Sequence, residues 1–240
     1  MKKRQLFVSV LIAGLVLILT WAVAAQEPEL EQSGTGAQTA SGPLTLNLNL
    51  GGEPTTLDPA RTWDTTSGTV VEQLFIGLVD LDDETGEVRP ELATSWTVSP
   101  DGTVYTFTLR SDVTWSDGNP VTAEDVRYGI LRTLDPATAS GGAYVLCIIK
   151  NAADYHYGII TDPNQVGVTA VDTTTLRITL EEPASYALSI LSMWLARPTP
   201  QWAIEAHGDW STEPEHIVTN GAYRPAEWVH DDHILLDKNP

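Results

Sequence analysis

Residues 95–126, "SWTVSPDGTVYTFTLRSDVTWSDGNPVTAEDV", hold two strand-like runs, a turn between them and the start of a helix. Ser99-Pro-Asp-Gly102 puts Pro at the second and Gly at the fourth position of a turn, between alternating Thr, Val, Tyr and Phe. That predicts a β-hairpin with Trp96, Tyr105 and Phe107 in the core. Ser116-Asp-Gly-Asn119 makes a second turn. Thr122 then stands three residues before Asp125, the capping-box spacing, with Val121 and Val126 placed for a hydrophobic staple. Glu124 and Asp125 lie in the first turn, where the helix dipole favours anions by about 0.3–1 kcal/mol each. Val126, Ile130, Leu131 and Leu134 form the buried stripe. The density of Trp, Asp and Glu invites an active-site reading. Yet every polar residue has a structural task, and no His or Cys stands near to act as a partner. The stretch is a fold element, a hairpin followed by a helix.

Outward from it, the same alternation of types continues. Residues 44–50, "LTLNLNL", alternate strictly and predict a strand with one buried face. The loop "GGEPTTLDP" (51–59) follows, then apolar residues at 70, 71, 74, 75 and 78 predict a helix. The turn "DDETGE" predicts a hairpin before Pro90. Downstream, 166–180 reads as a second hairpin around "DTT", and 184–196 as an apolar helix stopped by Pro198. A short helix is predicted with Thr199 as N-cap, Pro200 at its first position and Gly208 past its end. Two strands, 223–228 and 234–237, close the chain. Hairpins among helices give an α/β fold of the mixed α+β kind rather than an all-parallel βαβ array. The stop at "DKNP", straight after a strand, reads as a truncation.

The first 25 residues differ from the rest. Lys2, Lys3 and Arg4 precede an apolar run from 6 to 19, and Ala22-Val-Ala24 offers a cleavage site, so 1–25 reads as a secretory signal peptide. An uncleaved anchor is the rival reading. No Cys stands directly after the run, which argues against a lipoprotein. Residues 26–42 have one Leu and no aromatic residue, and are expected to be a flexible linker.

The formal net charge is −19. Without the three leader cations it is more negative still, so no nucleic-acid partner is expected. Cys147 is the one cysteine, which excludes an intrachain disulfide and reads as a small buried hydrophobe. Asp80, Asp82, Glu84 and Glu91 fall at calcium-loop positions, but Gly86 is one place late and helical flanks are missing. His230 and His233, three apart on an expected strand, would face opposite sides and could not chelate one ion. No metal or cofactor is expected, and no nucleophile–base motif is present. Loop aromatics beside small polar groups are the better candidates for a ligand cleft: Trp63 with Asp64, Tyr144 after "TASGGA", and Tyr223 after "TNGA".

Four blocks then fall in order: "EPTTLDPA", "LFIGLVDLD", the long run from "RPELATSW" to "LDPATAS", and "IVTNGAYRPAEWV…ILLDKNP". Over residues 44–240 the chain resembles the family-5 solute-binding proteins of ABC importers. That resemblance implies a type II, Venus-flytrap periplasmic binding protein, here lobe I plus the family's small extra domain, cut before lobe II. Lobe I would comprise 43–75 and 182–240, and the inserted small domain 76–181. Such proteins are not enzymes; they bind an extended peptide between lobes and deliver it to membrane permease subunits, as monomers in the periplasm or at the cell surface. Carried over, Trp63, Asp64 and Thr65 match the stretch that pairs with the ligand backbone, and Tyr144 and Tyr223 match cleft aromatics. An acidic group belongs in this stretch among the family's oligopeptide binders, whereas here Trp63 aligns there and Asp64 stands beside it. Dipeptides, nickel complexes, haem, glutathione and oligosaccharides remain open as ligands. A secreted hydrolase and a purely structural surface protein are the readings from other classes.

Overall fold

The computed structural model describes residues 44–208 and 210–240. The expected signal peptide and linker lie outside them. Residues 44–48 belong to one unit and 49–240 to another. Residues 44–48 lie outside any helix or strand, and Leu44 is 98% exposed. The strand expected over 44–50 is therefore not formed. Alternation marks a face, but a strand also needs a neighbour to receive its amides, and none among the described residues does so.

In the larger unit the hairpin is as expected. Strands β3 (Ala93–Val98) and β4 (Val104–Leu109) pair antiparallel, Trp96 opposite Phe107. Gly102 closes the turn by donating to the Ser99 carbonyl at 2.8 Å, with φ +75°, a conformation costly for any residue carrying a Cβ. β5 (Val168–Asp172) and β6 (Thr175–Thr179) form the second hairpin, and the sheet runs β3-β4-β6-β5, antiparallel throughout. Burial alternates along β4, where Tyr105, Phe107 and Leu109 face inward, and along β6, where Leu176 and Ile178 do. Trp96 is only half-buried, set against Phe107.

Helix α2 (Ala123–Leu134) packs on β5 and β6 through its Val126, Ile130, Leu131 and Leu134 stripe. Each such side chain contributes about 1.5–3 kcal/mol when fully buried. Its start follows the capping-box spacing: Asp125 Oδ2 accepts from the Thr122 amide at 2.7 Å and its hydroxyl at 2.9 Å. Val121 and Val126 are both buried, as the staple requires. Burial raises the Asp125 carboxyl despite these donors from Thr122. The far side of α2 touches backbone: a Cβ on Gly129 would lie 2.2 Å from the Arg197 carbonyl oxygen, so only glycine fits.

The rest frames this core. Helix α1 (Thr65–Leu74) precedes the short hairpin β1 (Val79–Leu81) and β2 (Val88–Pro90). In its turn Asp82 Oδ1 accepts from Glu84 and Thr85, and Asp80 pairs with Arg89 at 2.6 Å, so these carboxylates serve the turn. α3 (Ala152–His156) precedes β5; α4 (Ala187–Leu191) and α5 (Gln201–Ala206) follow β6. β7 (Tyr223–Val229) and β8 (His233–Lys238) form the last hairpin. No helix among the described residues is long and apolar enough to cross a membrane.

Three expectations are corrected. The helix over 184–196 is only α4, because Met193 is extended (φ −67°, ψ 151°) and separates it from a 3-10 turn at Trp194–Ala196. Pro200, at ψ 94°, lies outside α5 and occupies the N-cap itself; the Thr199 hydroxyl is buried without a partner. His230 is in the β7–β8 turn and His233 opens β8, so their separation comes from the turn rather than from opposite strand faces.

Candidate functional site

The segment leading into α1 is held from several directions. Asp58 makes two short bonds to the Arg132 guanidinium, 2.7 and 2.6 Å, and Arg132 lies over the Trp210 ring at 5.7 Å. The Trp194 indole donates to the Thr62 carbonyl at 2.8 Å, and its ring covers Gly68 of α1. Asp64 is the N-cap of α1. Its carboxylate accepts from the Ser67 amide, the Ser67 hydroxyl and the Thr55 hydroxyl, each at 2.8 Å. Partial burial alone would raise the Asp64 carboxyl, but the Ser67, Thr55 and Thr66 donors outweigh it and hold the group below its ordinary value. Thr65, the first helical residue, is exposed and gives its carbonyl to the Thr69 hydroxyl.

Between these fixed neighbours Trp63 stays 45% exposed. It is seated on the backbone of Gly141 and Gly142, which precede the 3-10 turn Ala143–Ile148. A Cβ at Gly142 would meet the Trp63 ring at 2.4 Å and Leu195 at 2.5 Å. Tyr144, 57% exposed, meets Trp63 edge-to-face, centroids 5.7 Å apart at 73°. Edge-to-face pairs of this kind contribute about 0.5–1.5 kcal/mol beyond burial. The pair presents apolar ring surface to solvent beside a backbone turn, a combination suited to a planar or apolar ligand group.

Tyr223 is elsewhere. The "TNGA" turn before it is pinned to the opposite end of α1: Gly221 donates to the Leu74 carbonyl at 2.8 Å, and Asn220 bonds both the amide and the carbonyl of Ile76. Trp63 stands before the first residue of that ten-residue helix, which spans about 15 Å. Of the five expected site residues, the structure brings Trp63 and Tyr144 together. It uses Asp64 as a cap, leaves Thr65 at the helix start, and sets Tyr223 apart.

Thr55, Ser67, Gly141 and Gly142, which shape this surface, were not legible as site residues. A Gly-Gly pair signals a loop; only the tertiary fold shows what needs the missing side chains. The histidine–carboxylate pairs, His230 with Glu53 and His233 with Asp232, have no hydroxyl or thiol among their hydrogen-bond partners in the described residues. Cys147, expected to be buried, is half-buried, and that burial raises its thiol. No group of three metal-ligating side chains converges among the described residues.

A model of the bacterial extracellular solute-binding proteins, family 5 middle region, matches residues 87–240. The chain is 40% identical over 190 residues to the probable deoxycholate-binding periplasmic protein YgiS of Escherichia coli, covering 78% of this chain and 35% of that protein. It is 38% identical over 225 residues to the periplasmic oligopeptide-binding protein OppA of Salmonella typhimurium, covering 93% and 41%. Among solved structures, Haemophilus influenzae OppA in complex with RPPGFSPFR matches with TM-score 0.76 and 37% identity over 80% of this chain and 37% of that one. A periplasmic oligopeptide-binding protein of Borrelia burgdorferi matches with TM-score 0.74 and 40% identity, over 78% and 38%. The chain thus spans well under half the length of these relatives.

Proposed function

Because this chain belongs to the family-5 bacterial extracellular solute-binding proteins, a family of binders rather than enzymes, we propose that it supplies one wall of a ligand cleft. On this reading the whole protein takes up extended oligopeptides outside the cytoplasm and hands them to the membrane permease of an ABC importer. The observation that carries it is the Trp63–Tyr144 pair, exposed yet packed closely on Gly141–Gly142. An extended peptide bonds along its backbone and rests its side chains on such surfaces. Lobe I formed by 43–75 and 182–240, with 76–181 as the small domain, is the organisation that accompanies this proposal.

A second reading has its own support. The 40% identical relative is a probable deoxycholate binder, and two exposed rings would equally suit the apolar face of a rigid amphiphile. Calorimetry of the full-length gene product against RPPGFSPFR and against deoxycholate separates the two. Heat with the peptide and none with the bile acid supports the peptide reading; the reverse replaces it, and silence with both removes it.

A further inference from the structure

One carboxylate joins the two ends of the described chain. Glu53 lies in the loop before the Trp63 segment, and Trp228, His230 and Asp231 lie at the tip of the β7–β8 hairpin. Glu53 Oε1 accepts from the Trp228 indole at 2.7 Å and from His230 Nδ1 at 2.8 Å, and Oε2 accepts from the Asp231 amide at 3.3 Å. An ionised carboxylate only accepts, so His230 carries its proton on Nδ1 in this pair. The His230 hydrogen bond is the largest cause that holds the Glu53 carboxyl below its ordinary value; Trp228 and Asp231 add to it, against an opposing effect of burial. The hairpin tip itself is locked by Asp231, at φ +63°, and the indole and imidazole rings sit 4.7 Å apart.

Glu53 is two residues from Thr55, with Pro54 between them fixing φ. Thr55 donates its amide to Ser67 Oγ at 2.9 Å and its hydroxyl to Asp64 Oδ2 at 2.8 Å. Asp64 follows Trp63 directly. The path from hairpin tip to exposed indole is thus a run of short hydrogen bonds and one stiff dipeptide, continuous and within one compact unit.

We propose that Glu53 is a positioning residue for Trp63, tying the orientation of the ring to the β7–β8 hairpin through Trp228 and His230. The assignment of Trp63 to ligand binding rests on the function proposed above; the coupling does not. The other charged groups around His230 are Asp231, Asp232, His233 and Glu227 on its own hairpin. Glu72 of α1, and Glu215 and His216 of the 3-10 turn Pro214–His216, belong to elements packed against β7. These set the background field, and Asp231 bonds Glu53 through its backbone amide.

Incorporating 5-fluorotryptophan gives each indole a 19F resonance, with Trp63 and Trp228 assigned by W63F and W228F. In Glu53→Ala both resonances are expected to move by more than a linewidth, and in Glu53→Gln, which keeps the acceptor oxygen, both return toward the parent positions. In His230→Ala both resonances are expected to move as well, and a Glu53→Ala/His230→Ala double variant moves Trp63 no further than Glu53→Ala alone. A Trp63 resonance that stays put in Glu53→Ala, or that stays put in His230→Ala while Trp228 moves, overturns the proposal. If Glu53→Ala fails to fold, His230→Ala decides alone. A parallel titration with RPPGFSPFR keeps function separate: if Trp63→Ala leaves that affinity unchanged, the ligand reading falls, and the 19F result still judges Glu53.

Discussion

Replacing Gly142 by alanine is the sharpest test of how Trp63 is held. The added Cβ would lie 2.4 Å from the Trp63 ring and 2.5 Å from Leu195. Ordinary carbon contacts fall near 3.5–4.0 Å, so each neighbour would have to retreat by roughly 1–1.5 Å. Leu195 is 1% exposed and has nowhere to go, whereas the half-exposed indole can swing outward. Over-packing of this kind costs about 1–3 kcal/mol. For a folded unit of this size that is a Tm lower by about 2–12 °C, at about 2–4 °C per kcal/mol. Differential scanning calorimetry reads the stability, and the 19F resonance of Trp63 reads the ring. The expectation is a lower Tm, a displaced Trp63 resonance, and weaker RPPGFSPFR binding by the full-length protein. A variant with Tm within 1 °C of the parent and an unmoved Trp63 resonance would refute the seating described above.

Asp58→Ala leaves the buried Arg132 guanidinium without its carboxylate; breaking such a pair costs about 3–5 kcal/mol, and urea melts should show a loss of that size, with less than 1 kcal/mol counting against the pair. Trp63→Ala should weaken RPPGFSPFR binding by the full-length protein about tenfold or more, ~1.4 kcal/mol, while changing Tm little because the ring is half in solvent; calorimetry and melting together check both halves. Asp64→Ala should cost about 1 kcal/mol as a lost N-cap. Its carboxyl is lowered in the fold, so that stability is present above the unfolded pKa near 3.9 and disappears as pH falls through the lower folded value. Parent and Asp64→Ala should therefore differ at pH 6 and converge at the acid end, and a constant difference across pH would contradict the capping role.

What the sequence reveals here depends on how far its signals reach. The hairpins around Gly102 and 173–174, and the start of α2 at Thr122, rest on turn and cap residues lying within a few positions of one another. They could be read locally, and the structure has them where expected. The strand over 44–50 fails because pairing is a property of two segments, and only one of them was in view. Thr199 and Pro200 fail by a single residue: a proline's φ suits both the first helical position and the cap, and ψ decides between them. At the site, the loop position of Trp63 and Tyr144 was visible, but their ring contact spans 81 positions and needs the glycine seat to form. Asp64, expected from the resemblance as a ligand residue, caps α1 in the structure, a use its residue type equally suits. Glu53 opens the block "EPTTLDPA" but carried no local signal of its tie to the hairpin, since its three donors lie about 175 residues downstream.

The attachments of the segment 53–64 also impose an order of assembly. As a chain emerges N-terminus first, Asp58 meets Arg132 after 74 residues, Thr62 meets Trp194 after 132, Thr56 meets Ser211 after 155, and Glu53 meets His230 only after 177. The extra loop entropy between the first and last closures is small, about 0.8 kcal/mol, so loop length does little to rank them, and their partners become available in the order they stand along the chain. The aromatic surface reaches its final shape only when the last hairpin has come out, which makes an early-terminated chain structurally incomplete at Trp63 even where every residue touching that ring has already been made.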